Sequence, residues 1–359
     1  MRHSGGVTHD FTLSPANRAL RRVLSLPAPW IERIAGGPPP RIDGRTLAPP
    51  VHLIVRSLDR FDITGSGEDV RKRRTEMRRS ARLVMPVARG VRVTDTAVPG
   101  PVAPVPVRVY RSHRAVGPVP VIVYYPGGGW VVGDLDSHDG TCRMLATHSG
   151  CAVVSVDYRL APESPFPAAL DDALAAFRHV HEHPRQFTGI PGAVAVMGDS
   201  AGGTLAATVA LLTREQGPTP VAQALMYPAT DLTMSAPSID TFATGFLLTK
   251  ADMLWYRGHY LTDPALTRDP RVSPLLTADL VGAPPATIYT AGFDPLRDEG
   301  MAYANRLREA GIQVSDTCFD DQVHGFFGMG VVPGGMERIE QVCREVGDLV
   351  YRSSAARAG

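Results

Sequence analysis

The residues with the clearest chemical potential lie in the run Gly198-Asp199-Ser200-Ala201-Gly202-Gly203. It fits G-x-S-x-G, placed directly after the apolar segment 193–197 and directly before a helical pattern over 201–213. A turn that joins such a strand to such a helix brings backbone segments very close, so glycine is required on both sides of the serine. The turn lifts the Ser200 hydroxyl at the strand tip. It also aims the Ala201 N–H, at a helix N-terminus, at any developing oxyanion. A serine hydroxyl is a poor nucleophile at neutral pH and needs a base. His324 follows the apolar segment 314–319, and Asp294 follows the segment 286–291. Nucleophile, acid and histidine thus come in that order, each just past the end of a predicted strand. Asp298 is a rival acid one helical turn further on, better suited to capping the helix or holding the loop.

A second element is Pro126-Gly127-Gly128-Gly129-Trp130, directly after the apolar run 119–125. Three glycines there let backbone N–H groups approach a ligand without Cβ obstruction, which makes this loop the second candidate oxyanion element beside the Ala201 N–H. Trp130, Phe326 and Phe327 adjoin these elements in sequence. They are candidate substrate-pocket residues, and core packing beneath the loop is the plainer role. His179 and His183 have the spacing of a metal pair on a helix. No third ligand or HExxH pattern joins them, so a solvated helix end is expected and no metal site. His138 and His148 flank a predicted helix after the glycine loop. Cys142, Cys151, Cys318 and Cys343 form no CxxC pair and read as reduced thiols.

These side chains need a scaffold that delivers them to one edge. From about residue 90, apolar strand-like runs alternate with helical patterns: 91–98, 105–111, 119–125, 152–157, 193–197, 222–226, 286–291 and 314–319, with helices over 168–180, 201–213, 301–310 and 336–351. This predicts an α/β fold, a mostly parallel central sheet flanked by helices, with the first two strands forming an antiparallel edge. The stretch 231–273 interrupts the alternation without a clear strand and reads as an insertion near the C-terminal edge of the sheet. Residues 1–88 read as an N-terminal helical cap segment on a catalytic domain of 89–359, with helical patterns at about 15–26, 50–61 and 66–84. In the second of these, Val51, Ile54, Val55 and Leu58 share one face and need a partner.

The hydrophobic share is 44%, the charged share 20% and the net charge +1, which fits a globular protein and gives no global argument for nucleic-acid binding. The charge is uneven: residues 1–90 hold 17 Lys and Arg against 8 Asp and Glu. The densest basic stretch contains Arg71, Lys72, Arg73, Arg74, Arg78, Arg79 and Arg82. It suits an anionic membrane surface, and a solvated helix face is the plainer reading. No apolar window is long enough to span a bilayer, and residues 1–11 lack the apolar core of a secretory signal, so the expected location is cytoplasmic.

As a set, the motifs YYPGGGWVVGD (124–134), VDYRLAPESPFPAALDD (156–172), GDSAGG (198–203), DPLRDEG (294–300) and VHGF (323–326) resemble the hormone-sensitive lipase family of bacterial esterases, family IV, over roughly residues 40–349. The resemblance implies an α/β-hydrolase core with a helical cap. It implies a cofactor-free carboxylic ester hydrolase acting on short- to medium-chain acyl esters through an acyl-enzyme. It maps Ser200, Asp294 and His324 onto the triad, and Gly128, Gly129 and Ala201 onto the oxyanion donors. The chain departs from the family at Pro126, where histidine normally precedes the glycines and helps hold the oxyanion loop, and at Ser164. Tyr158, Arg159 and Glu163 match as loop braces. An acyltransferase or amidase would use the same triad, and a ligand-binding receptor would reuse the scaffold without chemistry. The expected partner is a small-molecule ester, with no nucleic acid. A weak membrane-surface contact through the basic N-terminal segment and a homodimer complete the partner expectations.

Overall fold

The computed structural model of the protein describes residues 11–61, 69–214 and 217–358. The polar stretch 1–10, and the start of the helix expected over 66–84, lie outside the described residues.

Eight strands form one sheet: β1 (Val91–Val98), β2 (Val105–Ser112), β3 (Val119–Tyr125), β4 (Ala152–Val156), β5 (Gly189–Asp199), β6 (Gln223–Met226), β7 (Ala286–Phe293) and β8 (Val314–Val323). Their order is β1-β2-β4-β3-β5-β6-β7-β8. β2 runs antiparallel to both neighbours and all the other pairs are parallel, so the expected antiparallel edge is present. All seven residues of β3 are buried, which is why VPVIVYY carries no polar alternation: both faces of the strand are covered. The pleat still sorts them. Val121, Val123 and Tyr125 face one core, while Ile122 and Tyr124 face the other. β1, at the sheet edge, is largely exposed and reads as an alternating strand instead.

The first core is closed by α6 (Ala168–Glu182), α7 (Ala201–Thr213) and α10 (Arg297–Glu309), through Leu170, Phe177, Leu205, Val209, Tyr303 and Leu307. The second is closed by α5 (Asp139–His148) and α11 (Gly335–Ala358), through Cys142, Leu145, Ile339, Val342 and Val346. α7 has apolar residues on every side because it is buried almost throughout. All four cysteines are free.

The N-terminal segment holds α1 (Pro15–Leu24), α2 (Ala28–Ala35), α3 (Pro49–Phe61) and α4 (Val70–Val84). α2 is absent from the sequence expectation. Its prolines, Pro27 and Pro29, fall at the helix start, where no N–H is needed. These helices have no core of their own. Leu24, Ile31, Val51, Ile54 and Val55 pack against Phe242 and Phe246 from the 231–273 insertion, and against Phe293 and Val323 at the ends of β7 and β8. The insertion itself contributes α8 (Pro237–Thr241) and α9 (Lys250–Tyr260) and contains no strand.

The basic face of α4 is a clasp rather than a uniformly solvated surface. Arg73 pairs with Asp252 of α9 at 2.9 Å and lies 4.2 Å over the Trp255 ring. Arg74 donates to the carbonyls of Val131 at 2.8 Å and Ala161 at 3.0 Å, and to both carboxylate oxygens of Glu163. Arg78 pairs with Asp134. Arg74 holds the Glu163 carboxyl far below the usual carboxylate range, at about 2. Replacing Arg73 by alanine is expected to destabilise the fold by about 2–3 kcal/mol. That is less than the ~3–5 kcal/mol of a fully buried pair, because Asp252 keeps its bonds to Thr249 at the start of α9. A urea melt with an unchanged midpoint contradicts the clasp.

No helix among the described residues is long and apolar enough to cross a membrane.

Candidate active site

β5 ends at Asp199 and α7 begins at Ala201, so Ser200 is the entire turn between them. Its backbone sits at φ 54°, ψ −122°, a conformation that costs a non-glycine residue on the order of 1–3 kcal/mol. The surroundings impose it. The Ser200 N–H donates to the Met226 carbonyl of β6 at 2.9 Å, and the Ser200 carbonyl accepts the Thr204 N–H at 3.1 Å. A Cβ on Gly198 would strike the Gly202 carbonyl, and one on Gly202 would strike that of Tyr125. Those approaches are what the flanking glycines of the motif are for.

Asp294 and His324 are each the first residue past a strand, β7 and β8 respectively. The sheet therefore brings to one edge three side chains that are up to 124 residues apart. His324 Nε2 lies 3.0 Å from Ser200 Oγ, and its Nδ1 lies 2.8 Å from Asp294 Oδ2. Asp294 is fully buried, and its other oxygen accepts the Leu296 N–H at 2.8 Å. The carboxylate accepts the Nδ1 proton, which leaves the Nε2 lone pair facing the serine hydroxyl. The Tyr227 ring packs 4.7 Å from the imidazole and limits its rotation. Asp298 points elsewhere. It accepts the Ser238 N–H at 3.0 Å and the Arg297 Nε–H at 2.8 Å, fastening α8 to α10.

Gly128 and Gly129 adopt φ values of 128° and 60°, and side chains there would meet the Val132 carbonyl and the Tyr256 ring. Among the described residues, the N–H groups of Gly128, Gly129 and Ala201 make no bond inside the protein. Pro126 does not leave the loop unbraced. Its carbonyl accepts the Tyr158 hydroxyl, and the Gly127 N–H donates to Asp199 Oδ1 at 2.9 Å. Arg159 grips Asp172 of α6 with two side-chain bonds of 2.8 Å, so the loop after β4 is fixed as well.

A cavity of about 540 Å³ reaches Ser200 and His324, and its lining includes the exposed apolar residues Val23, Ile34 and Leu83. Trp130 lines it and stacks on Tyr260, with ring centroids 4.3 Å apart. Phe326 and Phe327 do not line it. They are 1% exposed and pack with Tyr227 and Phe319 beneath the loop, as core. Tyr256 and Met253 of α9, Met77 of α4 and Leu232 in the turn before α8 line it and carry no sequence signal, because these segments show no motif. Glu299 belongs to the lining too; burial pushes its carboxyl well above the usual range, and one of its oxygens accepts the Thr230 and Asp231 N–H groups. His179 and His183 stack on each other at the exposed end of α6. No cluster of potential metal ligands occurs among the described residues.

A sequence profile of the α/β hydrolase fold family matches residues 122–328. The carboxylic ester hydrolase LipN of Mycobacterium tuberculosis is 44% identical over 319 residues, covering 86% of this chain and 85% of its own. Esterase LipI of the same organism is 42% identical over 294 residues, covering 79% and 90%. Among solved structures, the ester hydrolase EH1AB1 from the metagenome of Lake Arreo, complexed with a bipyridine phosphonate derivative, superposes with a TM-score of 0.81. It is 37% identical, with 84% of this chain and 99% of that one covered. With the eight-stranded sheet and the strand-turn-helix serine already in place, these similarities mean that the chain belongs to the α/β-hydrolase fold family, in its hormone-sensitive lipase branch, and is a carboxylic ester hydrolase.

Proposed function

We propose that Ser200 is the nucleophile of a two-step acyl transfer on short- to medium-chain esters, with His324 as base and Asp294 as the group that orients it. His324 Nε2 takes the hydroxyl proton while Oγ attacks the ester carbonyl. The N–H groups of Gly128, Gly129 and Ala201 receive the oxyanion. The imidazolium then protonates the departing alcohol, leaving an acyl-serine. Water, deprotonated by the same imidazole, attacks that acyl group and releases the acid and the free hydroxyl. The observation that carries this reading is the shared imidazole, with its two ring nitrogens 3.0 Å from the hydroxyl and 2.8 Å from the buried carboxylate.

Residues 1–88 and the insertion 231–273 act as a cap over a catalytic domain of residues 89–359. Support comes from the cavity walls, which draw Leu24, Ile54, Met77 and Leu83 from the first segment and Met253 and Tyr256 from the second. An apolar space of this size accommodates more than an acetyl group. Activity on a ladder of p-nitrophenyl esters is therefore expected to rise from acetate through butyrate to hexanoate or octanoate, and to fall at palmitate. A fluorophosphonate probe is expected to label Ser200 alone. An unlabelled Ser200 in folded protein defeats the triad assignment, and a maximum at acetate defeats the pocket assignment.

A further inference from the structure

Beneath the oxyanion loop lies a buried histidine that the acyl transfer does not consume. His138 precedes α5, and its side chain is 8% exposed. Nε2 lies 3.3 Å and 3.4 Å from the two carboxylate oxygens of Asp199, the residue before the nucleophile. Asp199 Oδ1 also accepts the Tyr124 hydroxyl at 2.6 Å and the Gly127 N–H at 2.9 Å. Nδ1 lies 3.0 Å from Ser137 Oγ. That oxygen accepts the Asp134 N–H at 2.9 Å and directs its own hydrogen at the Asp134 carbonyl, also at 2.9 Å. A serine hydroxyl has one hydrogen, so with it committed to Asp134 the contact to Nδ1 is made by a proton on the ring. In that arrangement both ring nitrogens donate and the ring is an imidazolium; with the hydroxyl turned to Nδ1 instead, a neutral ring still donates its Nε2–H to Asp199.

Burial by itself pushes His138 down. The adjacent carboxylate outweighs it and holds the imidazole above its ordinary value. Burial pushes Asp199 up in the same way, and His138, Tyr124 and Gly127 together hold its carboxyl below the usual range.

We propose that His138 is a positioning residue for the acyl-transfer reaction: as a buried cation it fixes the Asp199 carboxylate, and Asp199 in turn locks the Gly127 end of the oxyanion loop to the serine turn. The inference rests on Ser200 being the nucleophile. Asp199 is the covalent neighbour of Ser200 and is bonded to Gly127, so it sets the separation between the two halves of the oxyanion site, Ala201 on one side and Gly128 and Gly129 on the other. With proline at 126, the Gly127 N–H to Asp199 and the Tyr158 hydroxyl to the Pro126 carbonyl are the bonds that fasten this end of the loop. Without the cation, the carboxylate is buried beside two neutral donors. It protonates or turns, and the Gly127 bond weakens. A displacement on the order of 1 Å at the oxyanion costs ~10² in rate. The chain continues outward: Asp134, which holds Ser137, pairs with Arg78 of α4, so the seating of α4 reaches the same carboxylate.

The test uses the full chain carrying His138→Leu or His138→Gln, with kcat and KM on p-nitrophenyl butyrate, the rate of fluorophosphonate inactivation, and a thermal melt. In the leucine variant kcat and the inactivation rate are expected to fall together by about 100-fold, with KM changed by less than about twofold. Glutamine returns one donor to Asp199 without the charge, and its kcat is expected to stand about tenfold below wild type. Adding Asp199→Asn to His138→Leu is expected to cost little more, because the two act as one unit. A folded leucine variant within about threefold of the wild-type kcat overturns the inference, as does a loss confined to KM. If leucine prevents folding, glutamine decides alone, and a wild-type kcat there is equally fatal. A wild-type protein that the fluorophosphonate does not label breaks the Ser200 reading instead, so the two failures are distinguishable.

Discussion

Replacing Ser200 by alanine is expected to lower kcat on p-nitrophenyl butyrate by about 10⁴ or more in a protein that melts at nearly the wild-type temperature. The substitution removes one oxygen and nothing that shapes the turn. Alanine has the same Cβ as serine, so the strain at φ 54° is unchanged, and the bonds to Met226 and from Thr204 are made by the backbone. What disappears is the hydroxyl oxygen 3.0 Å from His324 Nε2, the atom proposed to accept the acyl group. Any residual rate comes from the oxyanion N–H groups and the pocket acting on water, worth ~10³–10⁴ over solution in enzymes with this machinery. Turnover near the wild-type value in the purified alanine variant refutes the nucleophile assignment. Catalysis lost together with the melting transition shows only that the variant has unfolded, and circular dichroism separates the two cases.

Asp294→Asn is expected to cost about 10⁴ in kcat, for a reason specific to its two oxygens. One accepts the Leu296 N–H at 2.8 Å and the other faces His324 Nδ1, also at 2.8 Å. Asparagine has a single acceptor oxygen. The fixed Leu296 N–H claims it, because the opposite orientation sets an NH₂ group against a backbone donor. The amide nitrogen then donates to Nδ1, the ring proton moves to Nε2, and Nε2 no longer accepts a proton from Ser200. Asp298→Asn, one helical turn away, is expected to leave kcat within about threefold, since Asp298 serves Ser238 and Arg297. Equal losses in the two variants, or the larger loss at Asp298, overturn the choice of acid.

The parts legible in the sequence are those written in contiguous residues. VPVIVYY gives a strand covered on both faces, GDSAGG gives a strand-turn-helix serine, and the order of Ser200, Asp294 and His324 follows three strand ends. The basic stretch of α4 was legible as a helix but not as a clasp, because its carboxylate partners lie far along the chain, 179 residues away in the case of Arg73 and Asp252. Trp130, Phe326 and Phe327 were indistinguishable as pocket candidates. Trp130 follows two glycines with positive φ and faces the cavity, whereas the phenylalanines drop into the second core. His138 carried no motif, since a buried ion pair between residues 61 apart leaves no periodic trace.

By itself, then, the sequence determined the sheet, the strand-turn-helix at Ser200 and the candidacy of Ser200, Asp294 and His324, because strand pattern and turn chemistry are local properties of the backbone. The tertiary structure decided which carboxylate meets His324, where the apolar cavity opens, how α4 is fastened to the sheet domain and which histidine is buried against Asp199. Those are matters of distance and desolvation between segments that only the folded chain brings together.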